Sequence, residues 1–278
     1  AMRSIQGVDE RLFEHTAEEL FEALTQLTSE SSDADSVLDT DDLKGPEWEL
    51  FASITSEVQT DEFVAIADRA PPRFEGLIER VIRLEKLREV QALLGFTRIA
   101  PPDEEDAAGE LTDVVSLGSQ GQDWLPASIV RGEGILLQFK REAIERWLQS
   151  RPPQARSHYL LLGHSAYRQA RGATKPGEGY PGRVYAMLHS LSHLLIRELS
   201  VQCGYAAASI RERVYADDEG EGMAGILLYT ASPDSDGTLG GLVDLGRPEK
   251  LEGILSGALD RALACSSDPL CSEHHADD

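Results

Sequence analysis

His189 and His193 stand four residues apart in HSLSHLLIREL, an apolar run from His189 to Leu199 with helical spacing. On a helix that spacing places both imidazoles on one face. Such a pair can ligate a metal ion, as in the HExxH zincins, where the intervening Glu serves as the base. Position 190 here is Ser, so that base is missing. Leu188, Leu191, Leu194 and Leu195 surround the pair and predict a mostly buried helix. Structural, hydrogen-bonding histidines are therefore the favoured reading. Its rival is a metal-dependent hydrolase that uses His189 and His193 with an acidic ligand from elsewhere in the chain. Ser190 and Ser192 do not lie in a GxSxG nucleophile elbow.

The other metal-ligating residues are at the far end. Cys265 and Cys271, with Asp268 and Pro269 between them, supply half of a tetrahedral zinc site. His274 and His275 follow and nominally complete it, but their spacing is not that of a standard finger, and the residues alone favour free thiols. Cys203, at the end of the histidine helix, reads as a small core residue. Three cysteines make neither a disulfide framework nor a complete four-ligand site, which points to a reducing cytoplasm. The glycines of TLGGLVDL lack the GKS or GKT of a phosphate loop and have Asp234, Asp236 and Asp244 nearby. They read as a tight turn at a strand end. No catalytic and no cofactor-binding residue is assigned.

A formal charge of −23 over 278 residues, with a pI near 4.6, sets the partners. Nucleic-acid affinity comes from Lys and Arg displacing counterions, so autonomous DNA binding is not expected of so acidic a surface. Part of the acidity reflects lineage, since the chain has no Asn and prefers Arg to Lys, as GC-rich coding produces. No stretch approaches the roughly 20 apolar residues of a membrane span.

These residues need elements to position them. Val8 to Leu27 reads as an amphipathic helix, Ser29 to Asp42 as a solvated loop, and Gly45 to Ile54 as a helix with Pro46 and Glu47 in its first turn. Asp61 to Asp68 is a short buried strand ended by Pro71 and Pro72. From Phe74 the spacing of Leu77, Ile78, Val81 and Leu84 predicts a helix or extended segment, then a strand at Gly95 to Ile99. Pro101 to Ser119 is an acidic loop. Trp124 to Phe139 reads as two strands joined by a turn at Arg131 and Gly132. A helix from Arg141 to Arg151 is closed by Pro152 and Pro153, and Ser157 to Arg171 is helical in part. Ala173 to Gly182 is a linker, Gly225 to Ser232 a strand, and a last helix leads to Cys265. The fold class is α+β. It has two regions: 1–180, helical with short strands, and 181–278, a compact mixed domain.

The ordered set HSLSHLLI, CGY, SIRERVY, GILLYTAS, GGL and CSSDPLC resembles the zinc-binding domain of MrfA-type repair helicases, which also occurs in the DrmB subunits of DISARM phage-defence systems. Upstream, GPEWELF, KLREVQALLGFTRI and WLPASIVRGEGILLQF resemble DrmB proteins specifically. The resemblance implies a non-catalytic scaffold that partners a superfamily 2 helicase (a DrmA-like subunit) in antiviral defence, reaching DNA only through the complex. It also implies a structural zinc held by a set of cysteines of which Cys265 and Cys271 match half. The expectation is therefore a domain truncated at its C-terminus, with zinc in the full-length protein and none tightly held in this chain. An accessory zinc-binding protein of a DNA-repair helicase is the alternative within the same fold.

Overall fold

The computed structural model describes residues 43–93, 95–96, 115–116, 124–170, 175–177, 179–204, 206–217, 222–232 and 241–262. The helix expected over Val8 to Leu27, the loop that follows it, most of the Pro101 to Ser119 loop, and Cys265, Cys271, His274 and His275 lie outside these residues. Among the described residues, no helix is long and apolar enough to cross a membrane.

The α+β class is observed. Its centre is a six-stranded antiparallel sheet built from β1 (Glu57–Gln59), β2 (Val64–Arg69), β3 (Ile78–Ala92), β6 (Ala127–Phe139), β7 (Ile210–Ala216) and β8 (Ala224–Ser232). The strand order is β1-β2-β3-β6-β8-β7, so β7 forms one edge. A separate pair joins β4 (Gly95–Phe96) to β5 (Val115–Ser116). The helices are α1 (Lys44–Ser53), α2 (Arg141–Leu148), α3 (Arg151–Ala170), α4 (Gly182–Cys203), α5 (Gly241–Leu245) and α6 (Pro248–Ala262).

Each face of the sheet has its own core. On one, Val184, Leu188, Leu195 and Leu199 of α4 and Leu251, Ile254, Leu255 and Ala258 of α6 pack with Val81, Ile135, Leu137, Ile226 and Leu228. On the other, Trp48 and Phe51 of α1 and Ile54 just beyond it cover Ile82, Leu84, Leu136, Tyr215 and Leu227. A strand covered on both faces reads as a continuous apolar run, as β6 does from Ile135 to Leu137. β6 pairs with β8 from Arg131↔Ser232 to Gln138↔Gly225, so strands from before and after residue 180 share one sheet.

Two local expectations are corrected, and between the two alternatives left open from Phe74 the extended one holds: β3 runs from Ile78, and its register against β6 shifts between Ile78 and Arg80 and again between Leu84 and Leu87. Those irregularities keep Ile78 with Val81 on one face and Leu84 with Leu87 on the other, three residues apart, which imitates a helical period. Trp124 to Phe139 holds one strand, with no turn at Arg131 and Gly132. Gly134 is a place of close approach, since a Cβ there would lie 3.0 Å from both the Leu228 carbonyl oxygen and Tyr229 Cβ. Finally, α2 stops at Leu148, and Pro152 and Pro153 sit in the first turn of α3, where their missing N–H groups cost nothing.

Candidate metal centre

Helix α4 is fixed by its buried stripe. Val184, Leu188, Ser192, Leu195 and Leu199 recur every three or four residues and press against the sheet. The helix ends at Cys203, where Gly204 takes φ 72° and donates its N–H to the Ser200 carbonyl oxygen at 3.0 Å. Glycine suits that left-handed position because it has no Cβ.

His189 and His193 follow Leu188 and Ser192 by one residue, which sets them on the shoulder of the helix and not beneath it. Their side chains keep 41% and 62% of their exposure. The predicted burial thus holds for Leu188 and Leu195 and partly for Leu191 and Leu194, whereas His189 is half-buried and His193 is exposed.

The residue that meets them comes from the edge strand. Side chains alternate along β7. Ile210 and Val214 belong to the core under α4, and Glu212 lies between them on the same face. Arg213 and Tyr215 point the other way, and both donate to Glu47 Oε2 of α1, Tyr215 at 2.8 Å. Burial, then the Glu47 carboxylate, push the Tyr215 phenol well above its ordinary range.

Glu212 Oε1 lies 2.7 Å from His189 Nδ1 and 3.6 Å from His193 Nε2. The two rings meet edge to face with centroids 4.4 Å apart. Ser192 Oγ lies between the other carboxylate oxygen, Glu212 Oε2, and the His189 carbonyl oxygen at 2.7 Å, with one proton to donate to either. Tyr185 stacks on His189, centroids 5.5 Å apart and planes 13° from parallel, and Lys44 Nζ lies 6.0 Å from the Tyr185 centroid. His189 Nδ1 is a buried atom that makes no aligned hydrogen bond, although Glu212 Oε1 is so close.

Among the described residues, His189, His193 and Glu212 are the group of His, Cys, Asp or Glu side chains that can hold a metal ion, with donor atoms within 4.8 Å of one another. Two imidazole nitrogens and one carboxylate oxygen form a set that zinc accepts, with the remaining position left to water or another ligand. Bound zinc would act as a Lewis acid and lower the pKa of such a water. Sequence reasoning found the histidines and missed Glu212, although the apolar–charged alternation of Ile210, Glu212 and Val214 is legible in SIRERVY.

The other candidates behave differently. Cys203 is half-buried against the α4–α6 core, as read from the sequence. Burial, with a contribution from the Glu133 carboxylate, pushes its thiol up to about 11, which keeps it out of the thiolate form that binds metal. In TLGGLVDL the described part is helix α5. The Leu242 and Val243 N–H groups donate to Glu133 Oε1 and Oε2 at 3.0 and 3.3 Å, so a carboxylate already holds the donors a phosphate would need.

Residues 191–276 match the MrfA Zn-binding domain family. Over 245 residues, 87% of this chain, the sequence is 36% identical to the DISARM protein DrmB of Bacillus paralicheniformis. The match takes in 42% of that relative, so the chain spans about two fifths of its length. The likeness to DrmB carried by the ordered motifs thus extends along most of the chain, and the zinc-binding domain covers its C-terminal part.

Proposed function

We propose that this chain is part of a DrmB-like subunit of a DISARM antiviral complex. It acts in the cytoplasm as a non-catalytic scaffold that supports a superfamily 2, DrmA-like helicase on foreign DNA. The observation that carries this reading is the identity to DrmB over most of the chain. The acidity supports an indirect role, because a chain at −23 gains DNA through a partner and not by itself. In this reading 1–180 is the DrmB-like region and 181–278 the zinc-binding domain, whose structural zinc takes Cys265 and Cys271 as half its ligands in the full-length protein. The test is affinity capture of the tagged chain with a co-expressed DrmA-like superfamily 2 helicase. A stoichiometric complex that survives nuclease treatment supports the scaffold, and capture that vanishes with nuclease, or never occurs, overturns it.

Glu212 favours a second reading, because it is the acidic ligand that a hydrolase built on His189 and His193 requires. Turnover of a nucleotide or ester that is lost in His189→Ala would carry that reading. The scaffold reading expects no turnover.

A further inference from the structure

We propose that His189, His193 and Glu212 bind one divalent transition-metal ion of the zinc class, with solvent in the remaining position, and that this ion clips helix α4 to the edge strand β7. The site takes no ligand from Cys265 or Cys271.

Three observations point to a metal and not to a plain histidine–carboxylate pair. The first is His189 Nδ1, a buried atom 2.7 Å from Glu212 Oε1, with which it has no aligned hydrogen bond. Two donors that point at a common ion have this relation: close to each other, yet not directed at each other. With zinc bonds of about 2.0–2.2 Å, neighbouring ligand atoms on a tetrahedron sit about 3.3 Å apart. The 3.6 Å from Glu212 Oε1 to His193 is close to that value, and the 2.7 Å to His189 is shorter, so the His189 ring and the carboxylate must part by roughly half an ångström to share an ion. The second is convergence, since both imidazoles approach the same oxygen while Ser192 engages the other. A carboxylate split between an inner oxygen and a hydrogen-bonded outer one is the form that orients a metal ligand. The third is support for the ring: Tyr185 stacks on His189 and fixes its plane.

The placement also gives the ion a structural consequence. β7 is hydrogen-bonded only to β8 among the strands of the sheet. A metal that joins α4 to Glu212 would tie down this edge, whose outer backbone pairs with no other strand among the described residues.

The test uses the full chain with Cys265→Ser and Cys271→Ser, so that thiolates at the C-terminus cannot contribute. Zinc and cobalt(II) are titrated by competition with a chromophoric chelator, and circular dichroism checks the fold of each variant. One ion per chain is expected, with cobalt d–d absorption and no thiolate-to-metal charge-transfer band. His193→Ala, at an exposed position, and the isosteric Glu212→Gln should each weaken binding about 100-fold or more, beyond the 10–100-fold typical of outer partners. Ser192→Ala should weaken it about 10-fold. Zinc should raise the Tm of the parent and leave that of His193→Ala unchanged. No binding once the cysteines are replaced, a charge-transfer band from sulfur, or affinity that survives both His193→Ala and Glu212→Gln would each overturn the site.

Discussion

Removing the Glu133 carboxylate should loosen the chain at a point that the sequence does not advertise. Glu133 lies in the middle of β6 with 3% of its surface exposed, between Gly132 and Gly134. Its two oxygens accept the N–H groups of Leu242 and Val243 at the start of α5, at 3.0 and 3.3 Å. Hydrogen bonds to charged groups contribute about 1.5–3 kcal/mol each, and an orphaned buried N–H costs about 1–3 kcal/mol. Glu133→Ala removes the acceptor for two such donors, for an expected loss of about 3–5 kcal/mol. Glu133→Gln keeps one acceptor oxygen and turns an amide N–H₂ towards a donor, so about 2–3 kcal/mol is expected. Domains unfold at about 5–15 kcal/mol, and the alanine variant therefore approaches the limit of a stable fold. Urea unfolding followed by far-ultraviolet circular dichroism measures both variants, with the slope compared so that a change in the unfolded state is not mistaken for stability. A cost below about 1 kcal/mol for Glu133→Ala, at unchanged slope, would refute the capping role.

Two further outcomes follow from individual contacts. A Cβ on Gly225 would lie 2.5 Å from Trp48 Cζ3 and 3.2 Å from the Leu137 carbonyl oxygen, so Gly225→Ala must displace Trp48 from its place against Tyr215. A cost of about 1–3 kcal/mol is expected, with a shifted tryptophan emission, and an unshifted spectrum would count against the packing described. The Cys203 thiol, pushed up to about 11, should be alkylated slowly at neutral pH and faster as pH rises towards that value. Because its pKa is raised in the folded state, its contribution to stability is complete below the unfolded thiol's range and is lost as pH rises from there through about 11. Fast alkylation of Cys203 at neutral pH in the folded variant with Cys265→Ser and Cys271→Ser would contradict this.

Much of the fold was legible where one periodicity governed. GPEWELFASI reads as a helix from Pro46 and Glu47 in its first turn and is one, and the strand at Val64–Arg69 ends before Pro71 and Pro72 as read. The misreadings, and the alternative left open over β3, arise where two signals compete. In β3, the register shift at Ile78/Arg80 puts Ile78 and Val81 on one face of the sheet and the shift at Leu84/Leu87 puts Leu84 and Leu87 on the other, and this spacing of three is also that of a helix. In β6, Gly132 and Gly134 carry the usual mark of a turn, whereas Gly134 serves the close passage of β8. Pro152 and Pro153 punctuate the chain as expected but open a helix instead of closing one. In each case local chemistry was read correctly and the tertiary context chose between its two meanings.

The candidate centre divides in the same way. Helical spacing alone placed His189 and His193 on one face, because that relation is internal to a helix. Glu212 is 19 residues beyond His193 and belongs to a strand, so only the packing of α4 on β7 brings the three together. That packing follows from the interleaved pattern of the two elements. Leu188, Leu195 and Leu199 must lie on Ile210 and Val214 to be buried, and the strand's alternation then leaves Glu212 in the same plane, at the margin of the apolar patch. A carboxylate there needs a partner when it is partly withdrawn from water, with 23% of its side chain exposed. The shoulder of the helix, one residue beyond the leucine stripe, is where such a partner can stand without entering the core. The sheet edge, the helix shoulder and the polar gap between them form one geometric consequence of the core, and the two imidazoles and the carboxylate occupy it.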